Sequence, residues 1–184
     1  MKNVLKKSSI WYNICGEEKN TRHVYVKNHQ KCKVLKEYGE EMKMVEKTLS
    51  LVKPDGVAGN HIGEILNLYE KEGLKIVALK MIKINKEFAR QHYIDLKDKP
   101  FYQELVDFIS SGPLVAMILE GEDAVNTVRR VNGATDPKEA AEGTIRNKYA
   151  KGKTDNTVHG SDSVEHAKRE ISMWFPEYLD SYLS

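Results

Sequence analysis

Apolar positions along the chain fall into short patterns that predict strands and helices. Residues 48–52 form an apolar run of strand length, which ends at a Pro-Asp-Gly turn signal at residues 54–56. The next apolar positions recur at intervals of three and four, which predicts a helix that ends at Gly73. These positions are Ile62, Ile65, Leu66 and Tyr69.

Two longer apolar runs predict buried strands over residues 74–84 and 114–119. Residues 86–96 and 101–111 lie between these strands and have the spacing of two helices, and residues 122–131 have the spacing of a third. Each predicted strand is therefore separated from the next by helical sequence.

A last helix is predicted near the end of the chain, after a short strand. Either Asp162 or Ser163 can cap it. The order of elements is strand, helix, strand, helical pair, strand, helix, short strand and helix. This order predicts an α+β sandwich with helices on a mostly antiparallel sheet. The apolar stripe of the last helix comprises Val164, Ala167, Ile171 and Trp174.

Residues 1–43 differ in composition from the rest of the chain. They carry 10 Lys or Arg against 5 Asp or Glu, whereas residues 44–184 carry 19 against 22. The segment lacks periodicity of useful length, and residues 39–41 (Gly-Glu-Glu) are encoded by purine-rich codons, like a bacterial ribosome-binding site, just before Met42 and Met44. We therefore divide the chain into a basic extension, irregular or absent from the native protein, and a domain over residues 44–184.

Composition excludes several classes of protein. Of the 184 residues, 40% are hydrophobic and 30% are charged, which is typical of a soluble, well-cored domain. No apolar run approaches the roughly 18 residues of a membrane helix. Two cysteines are too few for a disulfide framework or a four-cysteine zinc site, so we expect a reducing, cytoplasmic compartment. The near-neutral residues 44–184 argue against a nucleic-acid surface.

Three further patterns do not meet the requirements of the sites that they suggest. Residues 152–154 (Gly-Lys-Thr) match the end of a phosphate-binding loop, but Asn147 stands where its first glycine belongs. The glycines at positions 56, 59 and 63 have the wrong spacing for a dinucleotide fingerprint. His159 and His166 have no carboxylate cluster between them, so we do not expect them to share a metal ion.

His159 lies in a segment whose other residues favour phosphate chemistry, residues 156–163 (Asn-Thr-Val-His-Gly-Ser-Asp-Ser). Gly160 removes side-chain bulk next to the imidazole. Residues 161–163 lead into the last predicted helix, whose N-terminal N–H groups favour anions. A histidine beside such a site can accept a phosphoryl group. The alternative is an ordinary hydrogen-bonded or surface histidine.

On this segment the chain resembles the nucleoside diphosphate kinase family. Residues 156–163 are similar to the active-site signature of that family, and the resemblance extends from about Glu46 to the end of the chain. Supporting blocks occur in the order of the family. They are residues 52–57 (Val-Lys-Pro-Asp-Gly-Val), 92–93 (His-Tyr), 99–101 (Lys-Pro-Phe), 111–113 (Ser-Gly-Pro), 133–137 (Gly-Ala-Thr-Asp-Pro) and 143–146 (Gly-Thr-Ile-Arg).

The resemblance implies a ferredoxin-like fold and a ping-pong transfer of the γ-phosphoryl group from a nucleoside triphosphate to a nucleoside diphosphate. By this resemblance His159 is the nucleophile and carries the group as phosphohistidine. Glu170 matches the residue that orients the imidazole, and the alternative is a solvated charge on a helix. The implied cofactor is Mg²⁺, held mainly by the nucleotide phosphates and by no protein side chain directly.

Several residues match positions that contact the phosphates. Arg129 and Arg146 match phosphate ligands, for which the planar fork of arginine is suited in a way that lysine is not. Arg130, next to Arg129 in the sequence, is an alternative to Arg129 as a phosphate ligand. Thr135 matches a hydroxyl that contacts phosphate, and Tyr93 matches a phenol near the nucleophile. A structural tyrosine is the alternative for Tyr93.

Three residues match positions that hold the nucleoside. Lys53 and Asn156 match residues that contact the sugar hydroxyls, with Lys53 also near the phosphates. The alternative for Lys53 is a residue that merely precedes a turn. Phe101 matches the aromatic residue that stacks on the base, although its helical spacing is also that of a core residue.

The chain departs from the family pattern at two places. Residues 147–148 (Asn-Lys) follow Arg146 where the family usually has Gly-Asp, and Lys153 stands where an apolar residue often faces the base. We expect these changes to affect base affinity rather than phosphoryl transfer.

The implied partners are nucleoside triphosphates and diphosphates and further copies of the chain, in a hexamer or a tetramer. No membrane is expected. The alternative function is a catalytically weak regulatory or nucleic-acid-binding member of the same fold.

Overall fold

The computed structural model describes the backbone of residues 4–7, 10–18, 21–28 and 31–36, and it describes residues 45–178 in full. The chain divides into two compact units, Met1–Met42 and Lys43–Ser184.

The first unit contains an antiparallel sheet, which differs from the irregular backbone that we expected. Its four strands pair in chain order. The signal that favours strands is the run of β-branched and aromatic residues at positions 24–26 (Val-Tyr-Val), flanked by polar residues. The strands are β1 (Val4–Lys7), β2 (Ile10–Glu18), β3 (Thr21–Asn28) and β4 (Lys31–Lys36).

The second unit is built on a four-stranded sheet with helices, and it confirms the predicted ferredoxin-like α+β class. The strands are β5 (Val45–Val52), β6 (Lys75–Ile82), β7 (Leu114–Glu122) and β8 (Val158–Gly160). Their order in the sheet is β6-β7-β5-β8, and every neighbouring pair is antiparallel. The short strand β8 therefore lies at one edge, beside the central strand β5.

Seven helices accompany this sheet within the described residues of the second unit. They are α1 (Pro54–Ala58), α2 (Ile62–Lys71), α3 (Lys86–His92), α4 (Tyr102–Ile109), α5 (Ala124–Asn132), α6 (Ile145–Tyr149) and α7 (Val164–Trp174). None of the helices in the described part of the chain has the length and apolar character required to cross a membrane.

Several predicted boundaries were wrong. The Pro-Asp-Gly turn signal starts helix α1, because proline has a helical φ and lacks the N–H that a first helical turn leaves unpaired. The single helix predicted over residues 86–96 is in fact helix α3, which ends at His92, followed by a separate 3₁₀ turn over Ile94–Leu96. Strand β7 extends to Glu122, so α5 begins two residues later than predicted.

Helices cover both faces of the sheet. Alternate residues of β7 belong to different hydrophobic clusters, Leu114 and Ile118 to one and Val115 and Leu119 to the other. The first cluster includes residues of α3, α4 and α7, and the second includes residues of α2 and α5. A strand buried on both faces reads as a continuous apolar run, as this one does.

Candidate active site

His159 is held in place by pairing of β8 with β5 and by packing against α5. Leu51 lies opposite His159 in the sheet. A Cβ atom on Gly160 would lie 2.7 Å from Cγ1 of Val128 and 2.9 Å from Nδ2 of Asn132, both on α5. Glycine at position 160 therefore lets β8 approach α5. This close approach is a physical reason for the glycine that sequence analysis did not provide.

Glu170, on α7, holds one nitrogen of the His159 ring. Nε2 of His159 lies 3.2 Å from each carboxylate oxygen, and the hydroxyl of Ser161 donates to Oε2 at 2.6 Å. Burial alone would raise the pKa of Glu170, but attraction to His159 and the hydrogen bonds lower it to about 2. The carboxylate is therefore charged at neutral pH. Glu170 is only 5% exposed and accepts a hydrogen bond from Ser161, so it is not the solvated charge of the alternative interpretation.

The start of α7 determines where Glu170 lies. The Ser163 hydroxyl accepts a hydrogen bond from the N–H of His166 at 3.1 Å, so Ser163 is the cap of the two candidates. Asp162 instead contacts Nδ1 of His166 at 2.5 Å. This cap fixes the first turn of the helix, and Glu170 follows two turns later on the side facing β8.

His92 lies beside His159 and is fully enclosed. The two ring centroids are 4.7 Å apart, and Trp174 donates its ring N–H to Nδ1 of His92 at 3.2 Å. Burial lowers the pKa of His92 to about 3, so this ring is neutral. A neutral ring next to the pair leaves the charge of Glu170 to act on His159.

Lys53 is a buried lysine that follows the last residue of β5. Its side-chain amine donates to Oδ1 of Asn156 at 2.7 Å and to the carbonyl of Thr154 at 3.4 Å. Burial, and then the nearby charge of Arg146, lower the pKa of Lys53 to about 7. An anion bound close to this amine would favour its charged form.

Arg146, on α6, connects the end of α5 to the start of β8, next to His159. Its guanidinium donates to the carbonyl of Gly133 at 2.7 Å and to that of Val158 at 2.9 Å. Nε of Arg146 is buried and has no hydrogen-bond partner within residues 45–178. Burial removes this guanidinium from water and lowers its pKa. The same low-dielectric surroundings would strengthen its attraction to an anion in contact with it.

The consecutive arginines of α5 differ in their surroundings. Arg130 forms an ion pair with Glu72, with 2.9 Å between Nη2 and Oε2. Arg129 lies in the wall of the same cleft as His159. The geometry therefore favours Arg129 over Arg130 as a ligand for a phosphate in that cleft.

Phe101, Tyr93 and Thr135 also line the cleft. Phe101 is 45% exposed, so the alternative of a core residue does not hold. Tyr93 is buried, and burial followed by the charge of Glu170 raises the pKa of its phenol. Thr135 is exposed, and its carbonyl accepts a hydrogen bond of 3.5 Å from Asn156.

The nine residues that sequence analysis selected therefore meet in one cleft with a volume of about 1070 Å³. These nine residues include three cationic side chains, an exposed aromatic ring and an imidazole, all around one space. Such a space fits an aromatic molecule that carries phosphate groups. The nine residues are Lys53, Tyr93, Phe101, Arg129, Thr135, Arg146, Asn156, His159 and Glu170.

Comparisons with known proteins give a consistent result. The family model described as nucleoside diphosphate kinase matches residues 46–179. A nucleoside diphosphate kinase of Clostridium perfringens is 54% identical over 133 residues, which cover 72% of this chain and 93% of that protein. The chain belongs to the nucleoside diphosphate kinase family.

Further relatives of this nucleoside diphosphate kinase chain extend the result. A nucleoside diphosphate kinase of Sulfurisphaera tokodaii is 51% identical, covering 72% of this chain and 90% of that protein. The crystal structure of the Aquifex aeolicus nucleoside diphosphate kinase matches with a TM-score of 0.71 and 45% identity, covering 72% of this chain and 96% of that one. The chain is thus a phosphotransferase that acts on nucleotides, and nothing in these matches favours the regulatory or nucleic-acid-binding alternative.

Nucleoside diphosphate kinases require a divalent cation, and the donor atoms of the site bear on where it binds. His92, His159 and Glu170 offer ligand atoms that all lie within 4.8 Å of one another. Two nitrogens and one carboxylate suit Mg²⁺ poorly, because this ion prefers oxygen ligands. The cationic side chains around the cleft suit the phosphates of a nucleotide that brings its own ion.

The positions that depart from the family pattern make contacts of their own. Lys148 forms an ion pair with Glu64 at 3.4 Å, and Asn147 donates to a backbone carbonyl at 3.2 Å. Lys153 lines the cleft and forms an ion pair with Asp136 at 3.2 Å. None of these contacts involves the imidazole.

Sequence analysis of this family member did not assign roles to three residues near His159. Ser161 lies inside the recognised signature, but only the fold reveals its hydrogen bond to Glu170. His92 and Trp174 are 82 residues apart in the chain, and each has the pattern of an ordinary core residue. The one available signal was Trp174 itself. A buried tryptophan usually donates its N–H to a polar partner, so a polar residue could be expected beside it.

Proposed function

We propose that the enzyme transfers a γ-phosphoryl group through a phosphohistidine formed on Nδ1 of His159. The observation that carries this proposal is the contact of Nε2 with both oxygens of Glu170, at 3.2 Å each. Within residues 45–178 no hydrogen bond involves Nδ1 of His159. A neutral ring that donates from Nε2 has its lone pair on Nδ1, which is the form required of a nucleophile.

The first half-reaction is an in-line displacement. The lone pair of Nδ1 forms a bond to the γ-phosphorus as the bond from this phosphorus to the bridging oxygen breaks, and the diphosphate leaves with that electron pair. The proton on Nε2 stays in place, and the charge of Glu170 stabilises the positive charge that develops on the ring. A second diphosphate then takes the group back from Nδ1 by the reverse step, which gives ping-pong kinetics.

The cationic groups around the cleft are the proposed ligands for the phosphates. Arg129 and Arg146 supply planar donors, and Lys53 supplies a point charge. Thr135 and Tyr93 add hydroxyl groups to the same cleft. Hydrogen bonds to the protein hold Lys53 and Arg146 in place. This supports charge stabilisation, because preorganised donors need no rearrangement as charge moves during transfer.

The nucleoside is proposed to lie between Phe101 and the Lys53–Asn156 pair. An exposed phenyl ring stacks on any base, and it reads no base edge. We therefore expect weak discrimination among bases, with ratios below about a thousandfold between GDP and CDP as acceptors. Lys53 and Asn156 are proposed to contact the sugar hydroxyls.

Mg²⁺ is the proposed divalent cation. This ion binds few protein ligands and commonly bridges substrate phosphates, whose charge it neutralises. No side chain is proposed to bind it directly. Removal of the ion with a chelator is expected to abolish transfer while leaving the protein folded, and circular dichroism checks the second point.

Self-association is proposed to involve the edge strand β6. Leu79 is 48% exposed and Met81 is 57% exposed, and both lie on this strand. Exposed apolar residues on an edge strand favour pairing with another strand. Light scattering distinguishes a hexamer from a tetramer by mass, and Met81→Lys is expected to lower that mass. A cytoplasmic location remains a prediction.

We also propose that residues 1–43 are dispensable for activity. The family match begins at residue 46, and the nine cleft residues that sequence analysis selected all lie beyond that point. A protein that starts at Met44 is expected to keep kcat within twofold of the full chain. Loss of activity in a folded truncated protein would contradict this proposal. N-terminal sequencing of the native protein tests separately whether the segment is made, and a start at Met1 would show that it is.

Incubation with γ-labelled ATP alone tests the phosphohistidine. The label is expected to be stable in alkali and lost in acid, because a phosphoramidate hydrolyses in acid and phosphoserine does not. His159→Ala is expected to abolish both labelling and transfer to a diphosphate. His23→Ala, in β3, is the matched control and is expected to keep both. Label that mapped to Ser161 would contradict the mechanism.

A further inference from the structure

Thr157 has an unusual backbone conformation two residues before His159. Its φ is +68°, in the left-handed region that β-branched residues rarely adopt. The N–H of Val158 donates to the carbonyl of Asn156 at 2.7 Å, which closes a γ-turn around Thr157. A strained turn of this kind persists only when its surroundings hold it.

The segment after β5 supplies the contacts that hold this turn. The N–H of Lys53 donates to the carbonyl of Thr157 at 2.8 Å. Oδ2 of Asp55 accepts hydrogen bonds from the N–H of Thr157 at 2.9 Å and from its hydroxyl at 3.3 Å. A Cβ atom on Gly56 would lie 3.0 Å from Cγ2 of Thr157, so the two segments are in direct contact.

Within residues 45–178, the hydrogen bonds that Asp55 makes through its side chain all go to Thr157. Oδ1 of Asp55 is buried and has no partner in the described part of the chain. Asp55 is the second residue of α1, whose start Pro54 fixes. The carboxylate is therefore held by a rigid element and directed at one residue of the loop that carries the nucleophile.

We propose that Asp55 is a positioning residue for phosphoryl transfer. It holds the γ-turn at Thr157, and the turn places Asn156 against Lys53 and directs the His159 ring into the cleft. Asp55 itself touches neither substrate nor the reacting nitrogen. This inference rests on the proposed function of His159.

Loss of the carboxylate is expected to lower the rate of transfer more than the affinity for nucleotide. The Thr157 N–H would be buried without a partner, which favours a relaxed turn. Reaction geometry is sensitive to displacements of about 1 Å, which can reduce a rate about 100-fold. Arg129 and Thr135 lie outside the turn, so most phosphate contacts would remain.

The test is the single-turnover rate of label transfer from saturating γ-labelled ATP to His159 in the full chain. Asp55→Ala is expected to lower this rate about 10- to 100-fold, with the KM for ATP changed less than threefold. Adding Thr157→Gly to Asp55→Ala is expected to restore the rate to within about threefold, because glycine adopts a positive φ without strain.

Leu74→Ala is the matched control for a general loss of stability. Leu74 is 4% exposed and belongs to the hydrophobic cluster on the α2 and α5 face, so its truncation destabilises the fold by removing core contacts. Below the unfolding transition, this variant is expected to keep the wild-type rate. A loss of rate equal to that of Asp55→Ala would overturn the inference.

Three other results would also overturn the inference. They are an unchanged rate in folded Asp55→Ala, a loss confined to KM, and no rescue by Thr157→Gly. If Asp55→Ala does not fold, Asp55→Asn is the test variant. The side-chain oxygen of asparagine can still accept the hydrogen bonds from Thr157, but its NH2 group would be buried without a partner. A rate about threefold below wild type is expected, and an unchanged rate would overturn the inference. Absence of label in the wild type would instead refute the proposed function.

Discussion

The two sides of the His159 ring are built differently. On the Nε2 side, Glu170 and Ser161 are buried and bonded to one another, and His92 is fully enclosed. On the other side, the side chains of Arg129 and Thr135 are exposed, and they make no hydrogen bond or ion pair within residues 45–178. One side is complete in the free protein, whereas the other has polar groups available to a ligand.

This difference separates two contributions to activity. Groups that already have their hydrogen-bond partners within the protein and are held in place act on the reaction step, because their positions do not depend on the substrate. Groups that gain their partners only from the ligand act on binding. We therefore expect substitutions on the Nε2 side to change kcat and substitutions on the phosphate side to change mainly KM.

Glu170→Gln is expected to have the largest effect among these substitutions. The amide keeps the size of the side chain but loses the charge that stabilises the developing cation on the ring. We expect kcat to fall about 100-fold while the KM for ATP stays within threefold, since partners that orient a reactive imidazole are worth about this much. Steady-state kinetics with ATP and GDP measure both constants.

Glu165→Gln, on the exposed side of the same helix, is the control for Glu170→Gln. It removes one negative charge from α7 without touching the imidazole, and wild-type kinetics are expected. If Glu170→Gln changed KM alone, this result would contradict the assignment of the Nε2 side to the reaction step.

Arg129→Lys is expected to raise the KM for ATP about tenfold and to lower kcat less. Lysine keeps the charge but lacks the planar pair of donors that fits a phosphate. Arg130→Lys is the matched control, because Arg130 binds Glu72 instead. Equal effects of the two substitutions in steady-state kinetics would contradict the assignment of Arg129.

The affinity for ADP is expected to fall about tenfold between pH 7.5 and 9.5. Burial, and then Arg146, lower the pKa of Lys53 to about 7, so its charge is lost as the pH rises through that value. The charge of ADP is constant in this range, because its last phosphate ionises near pH 6 to 7. Calorimetric titration at several pH values measures the affinity.

Two variants sharpen the pH experiment. Lys53→Arg remains charged over the whole range and is expected to flatten the pH profile of affinity. Lys153→Met removes an exposed lysine from the same cleft and is expected to keep the wild-type slope. Parallel profiles for the wild type and Lys53→Arg would show that another group titrates.

Phe101→Leu is expected to have the smallest effect. Loss of the aromatic face should raise the KM for all diphosphates by roughly threefold to tenfold, because a stacked base contributes about 1–3 kcal/mol at most and leucine retains part of the contact. The increase is expected to be similar for GDP and CDP. A large difference between these two acceptors would indicate that a polar group reads the base edge.

Much of the second unit could be predicted from local sequence. The strands of residues 74–84 and 114–119 and helix α7 follow from apolar periodicity, since buried faces leave a repeat in the sequence. Helix α6, Ile145–Tyr149, was missed because five residues show too little periodicity. The first unit was missed because its apolar runs are short and several of them are bounded by lysines.

The site could be predicted as a set of residues but not as an arrangement. The signature at residues 156–163 identified the nucleophile, and the family blocks identified its companions. Neither shows which ring nitrogen faces Glu170, nor that Asp55 reaches Thr157 across 102 positions of the chain. Such contacts depend on tertiary packing, which residue spacing does not encode.

The pairing of β5 with β8 also has a consequence for synthesis of the protein. Ser50 pairs with Gly160, and Glu170 follows on α7, so the neighbours of His159 are distant in the chain. Contacts between distant segments form late, because the closing of a long loop precedes any gain from the contact. On the ribosome, a nascent chain should therefore gain activity only after α7 has emerged from the exit tunnel, and activity in stalled chains would report on completion of the fold.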